Sequence, residues 1–169
     1  MTYHQCKAVL QQRLMEPAPG RIQLLCGPRQ VGKTTLLLEL AADLGDQAVY
    51  AAGDAPEAAL PGFFERQMGR AEDLASRHGK AVVFLDEVQV LPDWTTSLKG
   101  YVDRFRRQNL PIHVVATGSS ALRVGAGSRE SLAGRFERLT LAHWSADALA
   151  QAFPIERDRA AELVVTMGS

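Results

Sequence analysis

Hydrophobic and polar residues along this chain fall into two periods. Short, nearly continuous apolar runs stand at 21–26 (RIQLLC), 81–85 (AVVFL) and 112–117 (IHVVAT). Runs of that kind predict strands buried on both faces, as in a parallel sheet covered by helices. A weaker run at 47–52 and another at 137–141 bring the expected strands to five. Between them, apolar residues recur every three or four positions, which is the period of a helix with one face turned inward. The stripes are Val9, Leu10 and Leu14 over 4–14; Leu36, Leu37, Leu40, Ala41 and Leu44 over 32–44; Phe64, Met68, Ala71 and Ala75 over 63–78; and Leu98, Tyr101, Val102 and Phe105 over 94–108. Two further helical stretches are expected at 145–152 and 156–167. Glu16-Pro-Ala-Pro-Gly20 ends the first helix, because two prolines and a glycine cannot continue it, and Gly45 and Gly79 stop the next two. Strands alternating with helices predict a doubly wound α/β fold around a mainly parallel five-stranded sheet, with ligands at the carboxyl ends of the strands.

Composition narrows this only a little. A length of 169 residues suits one compact core, and 46% hydrophobic with 22% charged residues removes disordered and fibrous classes. The formal net charge of +0 gives no global field toward nucleic acid or anionic lipid, so a nucleic-acid role would need a local basic patch. Two cysteines, Cys6 and Cys26, make neither a disulfide framework nor a zinc site, and Cys26 reads as a small buried residue. No stretch of the roughly 20 apolar residues needed for a membrane span is present, and the first residues do not resemble a signal peptide, so a cytoplasmic location is expected.

The chemistry sits at the strand ends. Gly27-Pro28-Arg29-Gln30-Val31-Gly32-Lys33-Thr34 fits G-x-x-x-x-G-K-[ST] at every fixed position, and it leaves a predicted strand to enter a predicted helix. Backbone N–H groups of such a loop and of the first helical turn, here reaching Thr35, converge on phosphates, and the helix dipole adds positive potential. Gly27 and Gly32 allow close approach, Lys33 reaches the β- and γ-phosphates, and Thr34 offers a hydroxyl to Mg²⁺. The fold expectation sharpens accordingly to a three-layer αβα P-loop NTPase.

The run at 82–85 ends in Asp86-Glu87. Two carboxylates at the end of a buried strand are costly without a cation, which magnesium would supply. Asp86 would hold the metal and Glu87 would polarise an attacking water. A glutamate there suits hydrolysis more than transfer to an acceptor hydroxyl. Gly118-Ser119-Ser120 follows the 112–117 strand, and either hydroxyl could touch a γ-phosphate or simply make a turn. Arg135 lies beyond a Gly/Ser-rich stretch at 125–128; it could neutralise phosphate charge or pair with a surface carboxylate.

GPRQVGKTT, LDEVQVLPDW (85–94), VVATGSSA (114–121) and ESLAGR (130–135), in that order, resemble the AAA-type ATP-binding proteins of bacteria and archaea related to signal-transduction ATPases. The resemblance covers about 21–141. It implies an added strand between the two strands that carry the phosphate loop and the acidic pair. It also implies Lys33 and Thr34 on nucleotide and metal, Asp86 on magnesium, Glu87 as catalytic base, Ser119 as sensor and Arg135 as a functional arginine. Gln89 falls within the DEVQ segment without an assigned role. Members usually carry a further C-terminal domain, so 1–20 reads as a helical arm, 21–142 as the ATPase core and 143–169 as the start of such a domain. The chain departs from the pattern at Ala51-Ala-Gly and at Ala142-His-Trp-Ser145.

Other candidates carry less. Arg104, Arg106 and Arg107 close a helix whose dipole they complement. His113 and His143 lack metal-ligand companions. Trp94 and Trp144 read as packing anchors, since nothing shows the aromatic and basic interleaving of single-strand binders. The expected function is ATP–Mg²⁺ binding and hydrolysis as a nucleotide-dependent switch acting on a protein partner or further domain. The rivals are a nucleotide-binding module without turnover, a small-molecule phosphotransferase and a DNA-handling ATPase. Oligomeric state stays open.

Overall fold

The structure is a computed structural model that describes residues 1–119, 134–145, 149–150, 161 and 164–165. Five strands, β1 (Ile22–Gly27), β2 (Ala48–Ala52), β3 (Ala81–Asp86), β4 (Ile112–Ser119) and β5 (Phe136–Thr140), form one sheet in the order β2-β3-β4-β1-β5. Every pairing is parallel. β4 therefore stands between β1 and β3, as the resemblance implied. Four helices, α1 (Tyr3–Met15), α2 (Lys33–Leu44), α3 (Phe63–His78) and α4 (Trp94–Gln108), complete an α/β fold of the P-loop NTPase kind.

Alternation along the strands sorts side chains between two cores. Val82 and Phe84 of β3 join Val115 and Leu25 beneath α1 and α2, where Cys6, Leu10 and Leu14 meet Leu36, Leu37 and Leu40. Val83 and Leu85 join Leu24, Val114 and Ala116 against Met68, Ala71 and Ala75 of α3 and Leu98, Val102 and Phe105 of α4. Cys26 is fully buried. The α1 stripe is Cys6, Leu10 and Leu14, one residue every turn, with Val9 at its margin. A capping box starts α1, the Thr2 hydroxyl accepting from the Gln5 N–H and the Gln5 side chain accepting from the Thr2 N–H.

One boundary differs from expectation in a way that matters. β4 runs two residues past Thr117, because Gly118 and Ser119 pair with Cys26 and Gly27 of β1. Ladder pairing overrides turn-favouring residues there. Ser120, the 125–128 stretch, residues 130–133 of the ESLAGR segment and most of the helices expected at 145–152 and 156–167 lie outside the described residues. Among the described residues no helix is long and apolar enough to cross a membrane.

Candidate functional site

Gly27 ends β1, and a Cβ there would stand 2.5 Å from the Leu141 carbonyl oxygen. Only glycine lets the chain leave β1 so close to the segment that follows β5. Gly32 caps α2 with φ +97°, in the left-handed region that a side chain disfavours. Gln30 also has positive φ, at 61°. The loop from Gly27 to Gly32 thus turns sharply and delivers Lys33, Thr34 and Thr35 into the first turn of α2.

Lys33 is only 5% exposed. Its ammonium donates to the carbonyls of Gly27 (2.9 Å) and Pro28 (2.6 Å). Burial lowers its pKa below the ordinary lysine value; the charges of Glu87 and Asp86 pull the other way. No carboxylate of the described residues makes an ion pair with it. The cation is held by neutral dipoles and aimed at its own loop, which is what an incoming polyanion needs.

Asp86 is a hub. It ends β3, is 3% exposed, and collects three hydroxyls. Thr34 donates to Oδ2 at 2.6 Å, Tyr50 donates to Oδ2 at 3.0 Å, and Thr117 donates to Oδ1. The Glu87 N–H donates both to Asp86 Oδ1 (3.1 Å) and to the Thr117 hydroxyl (3.0 Å). Burial first, then the charge of Asp86, raises the Tyr50 phenol pKa. Glu87 adopts the left-handed region (φ 50°, ψ 46°), turning its side chain away from the strand direction, and the Gln89 amide donates to its carboxylate. Gln89 Oε1 is buried without a partner. Gly53 fits against this turn: its N–H donates to the Asp86 carbonyl at 2.8 Å, and a Cβ would stand 2.7 Å from the Glu87 carbonyl oxygen.

The loop residues Gly27, Pro28, Arg29, Gln30, Val31, Gly32, Lys33 and Thr34 thus stand at the end of β1, with Asp86 and Glu87 two strands away and Ser119 between them, opposite Gly27 in register. Arg135 does not join them within the chain; of the two readings left open for it, the pairing with a carboxylate is the one seen. It immediately precedes β5, where Phe136 pairs with Ile22 at the start of β1. The length of β1, about 16 Å at strand rise, separates it from Gly27. Its carbonyl accepts from the Ile22 N–H (2.7 Å) and its guanidinium pairs with Asp103 at 2.8 Å.

Residues 19–149, well over half of the chain, match the AAA domain family. The chain belongs to that family. Membership brings a nucleotide-binding, ATPase-like function at the coarse level. No curated protein matches the sequence.

Two residues that meet at Asp86 escaped sequence reading. Thr117 and Tyr50 look like ordinary strand residues, and only the register, with Leu85 opposite Ala116 and Ala52 opposite Asp86, brings them to one carboxylate. Trp144 was expected to anchor packing. Trp94 does so, half-buried against the α3–α4 core with its ring edge-on to Phe136 at 6.0 Å. Trp144, also half-buried, packs beside the loop, stacking on Tyr3 and donating its Nε1–H to the Val31 carbonyl at 3.0 Å.

Proposed function

We propose that this AAA domain binds ATP with Mg²⁺ in the Gly27–Thr34 loop and hydrolyses it. The observation that carries the proposal is the meeting of the Thr34 hydroxyl and the Asp86 carboxylate at 2.6 Å, beside a buried lysine without a carboxylate partner. Two oxygen donors converging from the loop and from the acidic strand suit a hard cation that keeps waters and phosphate oxygens as its other ligands. Among the described residues no cluster of three or more His, Cys, Asp or Glu competes as a metal site. The loop fits phosphate too, because side chains at Gly27 and Gly32 would crowd or strain the turn.

Bound Mg²⁺ would neutralise charge on the β- and γ-phosphates. Lys33 exchanges its two carbonyl partners for phosphate oxygens. Thr34 and Asp86 would hold the metal, and the N–H groups up to Thr35 would orient the phosphates. Glu87 takes the proton of an attacking water, released from Gln89 or steered by it. Ser119, opposite Gly27 in register, would report the γ-phosphate. Arg135 would serve only the site of a second copy. The connections after Asp86 and Ser119 then carry the change to a protein partner or a further domain, which makes the ATPase a switch.

A phosphotransferase would need an acceptor pocket opening on the phosphates. A cleft of about 870 Å³ among the described residues lies between 53–65 and 90–101, and neither loop residues 27–35 nor Asp86 and Glu87 line it. Glu87, next to Asp86 at the strand end, favours water as the acceptor. Glu87→Gln should bind MgATP normally and lose turnover by a factor of about 10² or more, read as phosphate release. Turnover at the parent rate would remove Glu87 from the mechanism.

A further inference from the structure

We propose that Tyr3 and Trp144 form the platform on which the base of the bound nucleotide stacks; this rests on the ATP reading above. The two rings are themselves stacked, with centroids 5.6 Å apart and planes 24° from parallel. Both lie over the phosphate loop. A Cβ at Gly32 would meet the Tyr3 ring at 3.3 Å and the Trp144 ring at 3.9 Å. The bond from Trp144 Nε1 to the Val31 carbonyl fixes the indole by direction rather than by burial. Trp144 is half-buried and belongs to neither hydrophobic core, and the residues beside it, His143 and Ser145, are exposed. Tyr3 packs against the core beneath α1 and α2 and so braces the indole that stands half-buried beside the anion cradle.

The pair is assembled from segments far apart in sequence. The Met1 ammonium donates to the Thr140 carbonyl at 2.9 Å, and the Ala142 N–H donates to the Met1 carbonyl at 3.0 Å. These bonds, with the capped start of α1, hold Tyr3 against Trp144 before any ligand arrives. A platform ordered in advance spares the ligand the entropy of ordering it. In a nucleoside triphosphate the base lies one ribose beyond the α-phosphate, so a triphosphate seated in the loop can set its base on these rings. Stacking on an aromatic face tolerates any base. The pair therefore adds affinity for nucleosides over bare phosphates and does not choose adenine over guanine.

The test compares MgATP with magnesium and inorganic tripolyphosphate, which has no base, by calorimetry on the full chain. Trp144→Ala should weaken MgATP about tenfold or more while tripolyphosphate changes by less than about twofold, and Trp144→Phe should retain most of the affinity. MgGTP should weaken by the same factor as MgATP wherever it binds. Equal weakening of both probes would mean that the indole only supports the loop, and no weakening of either would mean that it does nothing; both outcomes overturn the platform and leave the ATP reading standing. If the unaltered chain binds neither probe, the ATP reading falls and the platform with it. Fluorescence gives a second measurement. In Trp94→Phe, Trp144 is the remaining indole, and its emission should change with MgADP and stay constant with magnesium tripolyphosphate; constancy with MgADP overturns the proposal.

Discussion

The two ends of the sheet use polar residues in opposite ways. At the amino ends of the strands most charges meet a partner of opposite sign: Arg13 meets Glu137 at 2.8 Å, Arg135 meets Asp103 at 2.8 Å, and Gln23 joins Arg13, Glu137 and the Arg21 carbonyl, while half-buried Lys80 donates to the Leu14 carbonyl. At the carboxyl ends, opposite charges are kept apart. Lys33 receives only carbonyls, and Asp86 receives only hydroxyls and one N–H. A structure built for stability alone would pair a buried lysine with a nearby carboxylate, since a buried charge without one is costly. On the proposed reading a charged ligand completes the electrostatics at the carboxyl end, whereas at the amino end most of the charge is already balanced within the chain.

The largest expected effect breaks that asymmetry at its centre. Lys33→Ala removes the cation, and calorimetry should then detect no MgATP binding under conditions where the parent chain saturates. Retained binding would mean that the loop amides suffice and that the buried charge serves something else. The second effect sharpens the role of the other end. With Arg135 about 16 Å from its own loop along β1, any action on phosphate must come from a second copy. Arg135→Ala should then lose turnover by about 10³, as loss of a transition-state arginine does, while keeping affinity. Mixing it with Glu87→Gln, which retains Arg135 but cannot turn over, should restore phosphate release. Two inactive variants that stay inactive when mixed would confine Arg135 to its pair with Asp103.

These contrasts explain how much could be read before the structure. Periodicity located the five strands and four helices, since long apolar runs and stripes report burial directly, and the spacing of Gly27, Gly32, Lys33 and Thr34 is local, so the loop could be recognised within one segment. Asp86 was legible as the carboxylate ending a buried strand. Thr117 and Tyr50 were not, because their part depends on which strand lies beside which and in what register, a non-local fact that no window of residues contains. The location of Arg135 was hidden for the same reason: only the parallel pairing of β5 with β1 shows that it lies at the end of the sheet opposite its own loop. Trp94 and Trp144 are both half-buried, and it is the neighbours, Phe136 for one and Tyr3 with the Val31 carbonyl for the other, that sequence could not supply.

A third and smaller effect tests the hub. Thr117 is fully buried, donates to Asp86 and accepts from the Glu87 N–H. Thr117→Val keeps the shape and removes both bonds, leaving buried polar atoms short of a partner. The cost should be about 1–3 kcal/mol in urea unfolding. Turnover should fall further than affinity, because the Glu87 backbone loses one of its two anchors. Unchanged stability would show that Asp86 and Glu87 satisfy each other without the hydroxyl.

The smallest effect belongs to the amino end, where His113 is the group not yet balanced. It is 5% exposed and holds the Glu16 carbonyl at 2.9 Å, so its Nε2 carries the proton and donates. Burial lowers its pKa below 6.5; the Glu16 carbonyl opposes this, Lys80 reinforces it and the Glu16 charge opposes it. Arg13, Arg21, Arg106 and Glu137 line the same small cavity. The unfolded chain therefore takes up a proton below pH 6.5 that the folded chain refuses, and stability falls as the pH drops through that window, by at most about 1.4 kcal/mol per pH unit for one proton. His113→Gln can keep the bond to Glu16 but cannot titrate. Its urea midpoint should decline less than that of the parent between about pH 7 and about pH 5.5. Parallel declines would mean that the folded chain protonates His113 as readily as the unfolded one, and that the amino end tolerates an added charge as the loop end does.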